Sequence, residues 1–354
     1  MFQPQYLDCP IADLCQTFPG SLLTGPDFTR ARELLLALQA FAGTKYLPHA
    51  TPKSPAGKPA RTPDLFANLW FIQTSYAYYV ASHDEPTWQN TLLPFAKHVA
   101  QGVISDVFQS THMDDGGLLG AGKAKARPNS PFPALQLNIL WYNAISIISQ
   151  EYRRLNNHAA DHFDRLAARF RRSFLKIYWC DAHSCLCDPA DSVHTSSSPR
   201  FDPYQVLAVI LPFTAVPYTK QRALVEFLRD RVRTPLGLTV PPHWTPSTSA
   251  APLLSTLALV WLADGRLKTI EPRARAAADA REWLTELHDR MGAFATPLPQ
   301  FFDPATLAPV PANAHNHRPT LTELQRVWAS LEHMSTPIPP KIPNPPKRIG
   351  PRLP

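Results

Sequence analysis

The stretch Ala134-Leu-Gln-Leu-Asn-Ile-Leu-Trp-Tyr-Asn-Ala144 restricts the fold of this chain more than any other. It is apolar and long enough for a helix, yet it carries three amides (Gln136, Asn138 and Asn143) and one indole, Trp141. On a helix, Gln136 and Asn143 fall on nearly one face, two turns apart, with Trp141 close to that side. A helix that is apolar nearly all round has to be buried. Its polar groups then either find partners inside the protein or line a cleft. The pattern alone favours internal partners, because buried polar groups are usually satisfied.

The rest of the chain reads as further helices. Proline is abundant (39) and glycine scarce (13), which suits short helices punctuated by proline better than β-turns. A hydrophobic content of 44% supplies a large core. Residues 11–23 are mostly apolar, and a helix over 28–42 presents Ala31, Leu34, Leu35 and Leu38 at helical spacing. Thr62-Pro63-Asp64 predicts the start of Leu65–Val80, with Thr62 as cap and Pro63 in the first helical position. Asp84-Glu-Pro86 opens the next helix, to about 107, and a loop over 111–133 contains the turn Asp114-Asp115-Gly116-Gly117. The apolar helix spans 133–155. An amphipathic helix follows, with Leu166, Phe170 and Leu175 inside and Arg165, Arg169, Arg171 and Arg172 forming a solvated face. Asp202-Pro203 starts a short apolar helix, Tyr204 to Leu211, and others are expected at Thr219–Arg233, about 252–263 and Arg273–Met291. Thr320-Leu-Thr-Glu323 reads as a capping box for the last helix, to about 333. The total is about eleven helices, alternately apolar and amphipathic, which predicts an inner and an outer ring. That is an all-α fold, an (α/α)6 toroid-like barrel with room to be incomplete, its cleft where the inner helices begin. Residues 1–334 are expected to form this single domain, and 335–354 a basic, proline-rich, disordered tail.

Tyr178 to Asp188 interrupts the helical pattern and reads as a small β-hairpin. It holds Cys180, His183, Cys185 and Cys187, but strand alternation puts Cys185 and Cys187 on one face, and no second Cys/His pair has zinc spacing. Free thiols are therefore expected, with no metal and no cofactor. The net charge of +7 comes without a dense basic patch interleaved with aromatics, which argues against nucleic acid. No apolar run reaches the ~20 residues that span a bilayer. The amino terminus lacks the marks of a signal peptide, and five cysteines, an odd number, favour reduced thiols and a cytoplasmic setting.

Several motifs, in order, resemble the carboxy-terminal domain of glycogen debranching enzymes, the amylo-α-1,6-glucosidase family. Phe18-Pro-Gly-Ser-Leu-Leu-Thr-Gly25 with Arg30 to Leu36 resembles its leucine-proline-glycine turn and following helix. Ala67-Asn-Leu-Trp-Phe-Ile72 resembles Val-Asp-Ala-x-Leu-Trp-Phe-Ile, and Asp115-Gly-Gly-Leu-Leu-Gly-Ala-Gly122 resembles Asp-Gly-Leu-Leu-x-Ala-Gly. Gln136-Leu-Asn-Ile-Leu-Trp-Tyr-Asn-Ala144 is similar to Glu-x-Asn-Ala-Leu-Trp-Tyr-Asn-Ala. Tyr178-Trp179 with the hairpin, Pro203 to Ala208, and Thr234-Pro-Leu-Gly-Leu238 resemble three further elements, so the likeness covers most of 12–333. It implies a six-hairpin glycosidase fold.

The resemblance also implies where carboxylates should stand, and the chain lacks them there. The acid of the Val-Asp-Ala segment falls on Phe66, the helix glutamate on Gln136, and the glutamate expected as base on Gln300. The Thr-Trp-Met-Asp segment that supplies the general acid has no counterpart between Gly122 and Gln136. Glycoside hydrolysis uses two carboxyl groups, and an amide can neither deliver nor accept the proton. The expectation is an α-glucan-recognising protein that has lost hydrolysis, with Trp70, Gln136, Trp141, Asn143, Gln205 and Gln300 as sugar-contacting residues. Two alternatives stay open. One is an active α-1,6-glucosidase with relocated carboxylates at Asp114, Asp115 or Asp303; the other is a helical scaffold whose proline-rich tail docks on a protein partner.

Overall fold

The computed structural model of the protein describes residues 6–25, 27–43, 45–53, 62–108, 111–121, 134–187, 202–234, 236–239, 254–269, 273–290, 301–302 and 318–335. Among the described residues there are eleven helices. The first three are α1 (Ile11–Leu22), α2 (Thr29–Ala42) and α3 (Leu65–Ser82). Helix α4 runs from Glu85–Thr87 through a wider turn, Trp88–Leu92, into Leu93–Ile104. Then come α5 (Ala134–Arg154) and α6 (Ala159–Tyr178). Helix α7 opens as a tight turn, Pro203–Val206, and continues over Leu207–Ile210. Helix α8 (Tyr218–Phe227) ends in a wider turn, Leu228–Val232, and α9 (Thr256–Thr269), α10 (Arg273–Arg290) and α11 (Arg318–Ser335) follow.

Burial explains the arrangement. Helix α3 is covered on almost every side, from Leu65 through Tyr76. Helix α6 buries Phe163, Leu166, Phe170, Phe174 and Tyr178 along one stripe and leaves Arg165, Arg169, Arg171 and Arg172 exposed. The first kind of helix belongs inside a ring and the second outside it. Accordingly α1 packs on α3, α3 on α5, α5 on α7, α7 on α9 and α9 on α11, and α11 returns to α1. The odd-numbered helices close an inner ring, and the even-numbered ones pack around it. This is the (α/α)6 toroid, with one outer helix fewer than six full pairs among the described residues. The closing contact is tight: a β-carbon on Gly20 of α1 would fall inside the carbonyl of Thr322 in α11.

The strands all lie in connections that lead from an outer helix to the next inner one. β1 (Thr111–Met113) pairs antiparallel with β2 (Leu119–Ala121), within the segment read as loop, and β3 (Trp179–Cys180) with β4 (Cys185–Leu186) as expected. β5 (Arg233–Thr234), β6 (Gly237–Thr239), β7 (Leu254–Ser255) and β8 (Phe301–Phe302) form one antiparallel sheet in that order. The reverse connections are short, so the long ones gather where the inner helices begin. That end is the mouth of the ring.

Three helix starts depart from the sequence reading. Asp64, not Thr62, caps α3, accepting the Ala67 N–H at 3.0 Å, while Pro63 precedes the helix and bridges to Pro48. Helix α9 starts late because Leu254 and Ser255 are held as a strand against β6 and β8. Helix α11 starts at Arg318, and Glu323 is drawn to Trp261 and Arg326 instead of closing a capping box.

Those last contacts belong to a buried charge network between α9 and α11. Arg326 bonds Asp264 at 3.1 Å and Glu323 at 2.9 Å, and Lys268 also reaches Asp264, at 3.1 Å. Burial alone would raise the Asp264 carboxyl, but Arg326 and Lys268 outweigh it and hold the group below the usual carboxylate range. A carboxyl depressed by folding stabilises the protein above its unfolded value and loses that contribution as pH falls through the folded one. The stability difference between the protein and Asp264→Asn should therefore be full near neutrality and shrink from about pH 4 downwards. Thermal melts at stepped pH check this; a difference that grows on acidification would contradict it.

Candidate functional site

Three amides near the starts of inner helices follow one rule. Asn68, in the first turn of α3, accepts the Leu47 N–H at 3.1 Å and donates to the Leu47 carbonyl at 2.8 Å. Asn138, early in α5, does the same with Leu119 of β2, at 2.8 Å both ways, and also donates to the Tyr178 hydroxyl at 3.1 Å. Gln205, early in α7, accepts the Leu186 N–H of β4 at 2.8 Å and donates to the Asp202 carbonyl at 2.9 Å. Each side chain binds the backbone of the connection that leads into its own helix. A carboxamide can do this because it offers a donor and an acceptor side by side, the same pair a neighbouring strand presents. Trp141 adds to the second clamp by donating to the Gly117 carbonyl at 3.1 Å. Gly117 has φ of +85°, which suits it to the tight turn there.

Asn143 faces the other end of the barrel. It donates to Gln73 of α3 and accepts the Phe213 N–H at 2.8 Å, in the α7–α8 connection. Nine residues into α5, it lies about 13 Å below the helix start. Trp141, Asn143 and Gln205 are each fully buried, and their polar groups are committed inside the protein. Asn68, an equivalent clamp, is missed by the sequence reading; its only mark is an amide inside an apolar helix.

The mouth itself is aromatic. Phe66 meets Trp70 edge-on at 6.3 Å, and Trp70 stacks on Trp261 at 6.1 Å. Tyr204 meets Trp261 edge-on at 5.4 Å. Helices α3 and α9 are opposite each other in the ring, so this stack crosses the barrel axis one to two turns below the mouth. Trp70 keeps 6% exposure and Gln136 7%. The buried indole N–H of Trp70 has no hydrogen-bond partner among the described residues. Such a group costs about 1–3 kcal/mol when left unpaired.

Carboxylates are placed differently. Among the described residues, Glu323 is bonded into the aromatic cluster, accepting from Trp261 at 3.1 Å, and Arg326 neutralises it. Asp114 closes the β1–β2 turn: its carboxylate accepts the Leu118 N–H at 2.7 Å, and Asp115 beside it is exposed. Gln300 and Asp303 lie outside the described residues. In the β3–β4 hairpin the sulfurs of Cys185 and Cys187 stand 3.6 Å apart on one face. The Cys187 thiol and burial push Cys185 far up, so it is held as a thiol. Among the described residues no group of three His, Cys, Asp or Glu side chains could hold a metal ion. No described helix is long and apolar enough to cross a membrane.

Solved structures share this architecture. The rhamnosidase from Klebsiella oxytoca with rhamnose bound matches with a TM-score of 0.63 at 12% identity, over 91% of this chain and 58% of that one. The GH78 family rhamnosidase of Bacillus sp. GL1 matches at 0.60 and 13%, over 91% and 32%. The GH63 mannosylglycerate hydrolase from Thermus thermophilus in complex with glucose matches at 0.57 and 12%, over 92% and 93%. This chain thus spans less than two thirds of either rhamnosidase. At these identities the likeness is one of fold. Comparison with curated protein sequences finds no match. The sequence profile of the amylo-α-1,6-glucosidase family, however, matches residues 12–243, well over half of the 354. The chain, a glycosidase-like protein, belongs to the amylo-α-1,6-glucosidase family.

Proposed function

We propose that this protein recognises an α-glucan at the mouth of its inner ring and has lost the ability to hydrolyse it. The observation that carries this reading is the aromatic cluster on the barrel axis, with the unpartnered indole N–H of Trp70 in it; the amide of Gln136, near the start of α5, is a second polar group at that end. An aromatic face suits the apolar side of a pyranose ring, and the two polar groups suit its hydroxyls. The loss of hydrolysis rests on the resemblance, which implies the base at Gln300 and the general acid in a segment with no counterpart between Gly122 and Gln136; Phe66 and Gln136 replace two further carboxylates. Each missing acid or base typically costs ~10²–10⁴ in rate, so losing both leaves no useful turnover.

The test is a tryptophan-fluorescence titration with isomaltose and maltotriose. The protein should show a saturable change, and Trp70→Phe should lose it. That variant removes an unpaired donor but leaves a void in a buried stack, so its melting temperature should fall by a few degrees while the protein stays folded. A flat titration into the millimolar range, or an unaltered one in Trp70→Phe, would remove the mouth as a sugar site.

A further inference from the structure

The exposed face of α6 carries more charge than the fold uses. His162, Arg165, Arg169 and Arg172 recur every three or four residues and so form one stripe. All four are exposed, and none makes an ion pair among the described residues; Asp164, on the same helix, is taken by Arg153 and Ser149 of α5. The guanidinium groups repel one another at this spacing, with Asp161, four residues before Arg165, as the nearby acid on the helix. The stripe also borders a hollow. Together with Ile104 at the end of α4, Met113 at the end of β1, Leu166 and Ala168, it lines a cavity of about 490 Å³. The hollow thus has an apolar floor and a cationic wall.

We propose that this groove docks an acidic segment of a partner protein, with carboxylates on the arginine stripe and apolar side chains on the floor. Arg165, Arg169 and Arg172 rise about 6 and 4.5 Å along the helix axis, the spacing of acids at i, i+4 and i+7 on an opposing helix. Arginine's planar fork favours carboxylates taken in pairs of bonds. Single-stranded nucleic acid would want a run of aromatic platforms, and of the eight lining residues only His162 offers a ring. A membrane surface would want a protruding basic face, not a hollow.

The experiment is fluorescence anisotropy of the full chain with a labelled helical peptide bearing Glu at those three positions and Leu between them. Its glutamine analogue, phosphatidylserine vesicles and single-stranded RNA serve as alternative probes. The acidic peptide should bind, and weaken on going from low to high salt. Arg165→Glu/Arg169→Glu should weaken it about tenfold or more, since each reversal turns a rim attraction into repulsion. Both side chains are exposed, so the variant should keep its melting temperature. Lys45→Glu/Lys53→Glu makes the same change in net charge at exposed positions elsewhere and should leave affinity nearly unaltered. Absence of peptide binding, an equal loss in the lysine control, or binding of vesicles or RNA in preference to the peptide would each overturn the proposal.

Discussion

Gly20→Ala should destabilise the protein by about 3 kcal/mol, at the upper end of what overpacking costs. The obstacle to the added methyl is the backbone carbonyl of Thr322 and not a side chain that can swing away. Relief therefore requires moving α1 against α11, the contact that returns the inner ring to its first helix. Interiors are close-packed, so such a shift is felt by the neighbours Phe18 and Leu324, which are buried in the same core. Chemical denaturation reads the loss as a lower midpoint at an unaltered slope. Thr322→Ala in the same chain should not restore stability, because it leaves the carbonyl in place. A neutral Gly20→Ala would show that α1 and α11 do not approach as described.

Asn138→Leu should be of comparable size, about 3 kcal/mol, because leucine fills the volume but orphans buried groups at about 1–3 kcal/mol each. The N–H and carbonyl of Leu119 and one bond of the Tyr178 hydroxyl lose their partner together. Part of that cost is recovered where the β1–β2 hairpin lifts towards water. Asn138→Asp should also destabilise, since the carboxylate keeps the acceptor for the Leu119 N–H but sets an oxygen against the Leu119 carbonyl. Hydrogen exchange locates the effect: the amide of Leu119 should lose protection in both variants, while the amide of Leu47, held by Asn68, keeps it. Equal exchange at both amides would mean that the clamps do not act one by one.

The clamps also explain what the sequence could and could not disclose. The alternation of apolar and amphipathic helices is written into residue type. Leu34, Leu35 and Leu38 of α2, and the phenylalanines of α6, are buried on the stripes their spacing predicts. Asp202 and Asp84 cap their helices as the local pattern indicates, because a cap is a contact between near neighbours in the chain. The fate of the amides is a different matter. Asn138 and Gln205 bond backbone groups of Leu119 and Leu186, each 19 residues away, and a backbone group leaves no trace in a sequence. An amide in an apolar helix looks the same whether it holds a loop or faces a ligand. That is why residue type alone groups Trp141, Asn143 and Gln205 with Trp70 and Gln136 as sugar-contacting residues, although the first three have their polar groups engaged inside the protein. The late start of α9 is hidden for the same reason, since strand pairing of Leu254 with Thr239 and Phe302 is again long-range.

What distinguishes the mouth of this barrel is chemical: rings and an amide where the family resemblance implies carboxylates. The most direct test of that account is glucose release from phosphorylase-limit dextrin by the purified, folded protein, followed over hours at neutral pH beside the variant Asp115→Ala. The account predicts no release above the variant's level. Sustained release that disappears on substituting Asp115 or Asp303 would contradict it, and would mean that the chain hydrolyses α-1,6 linkages with carboxylates brought in from its loops.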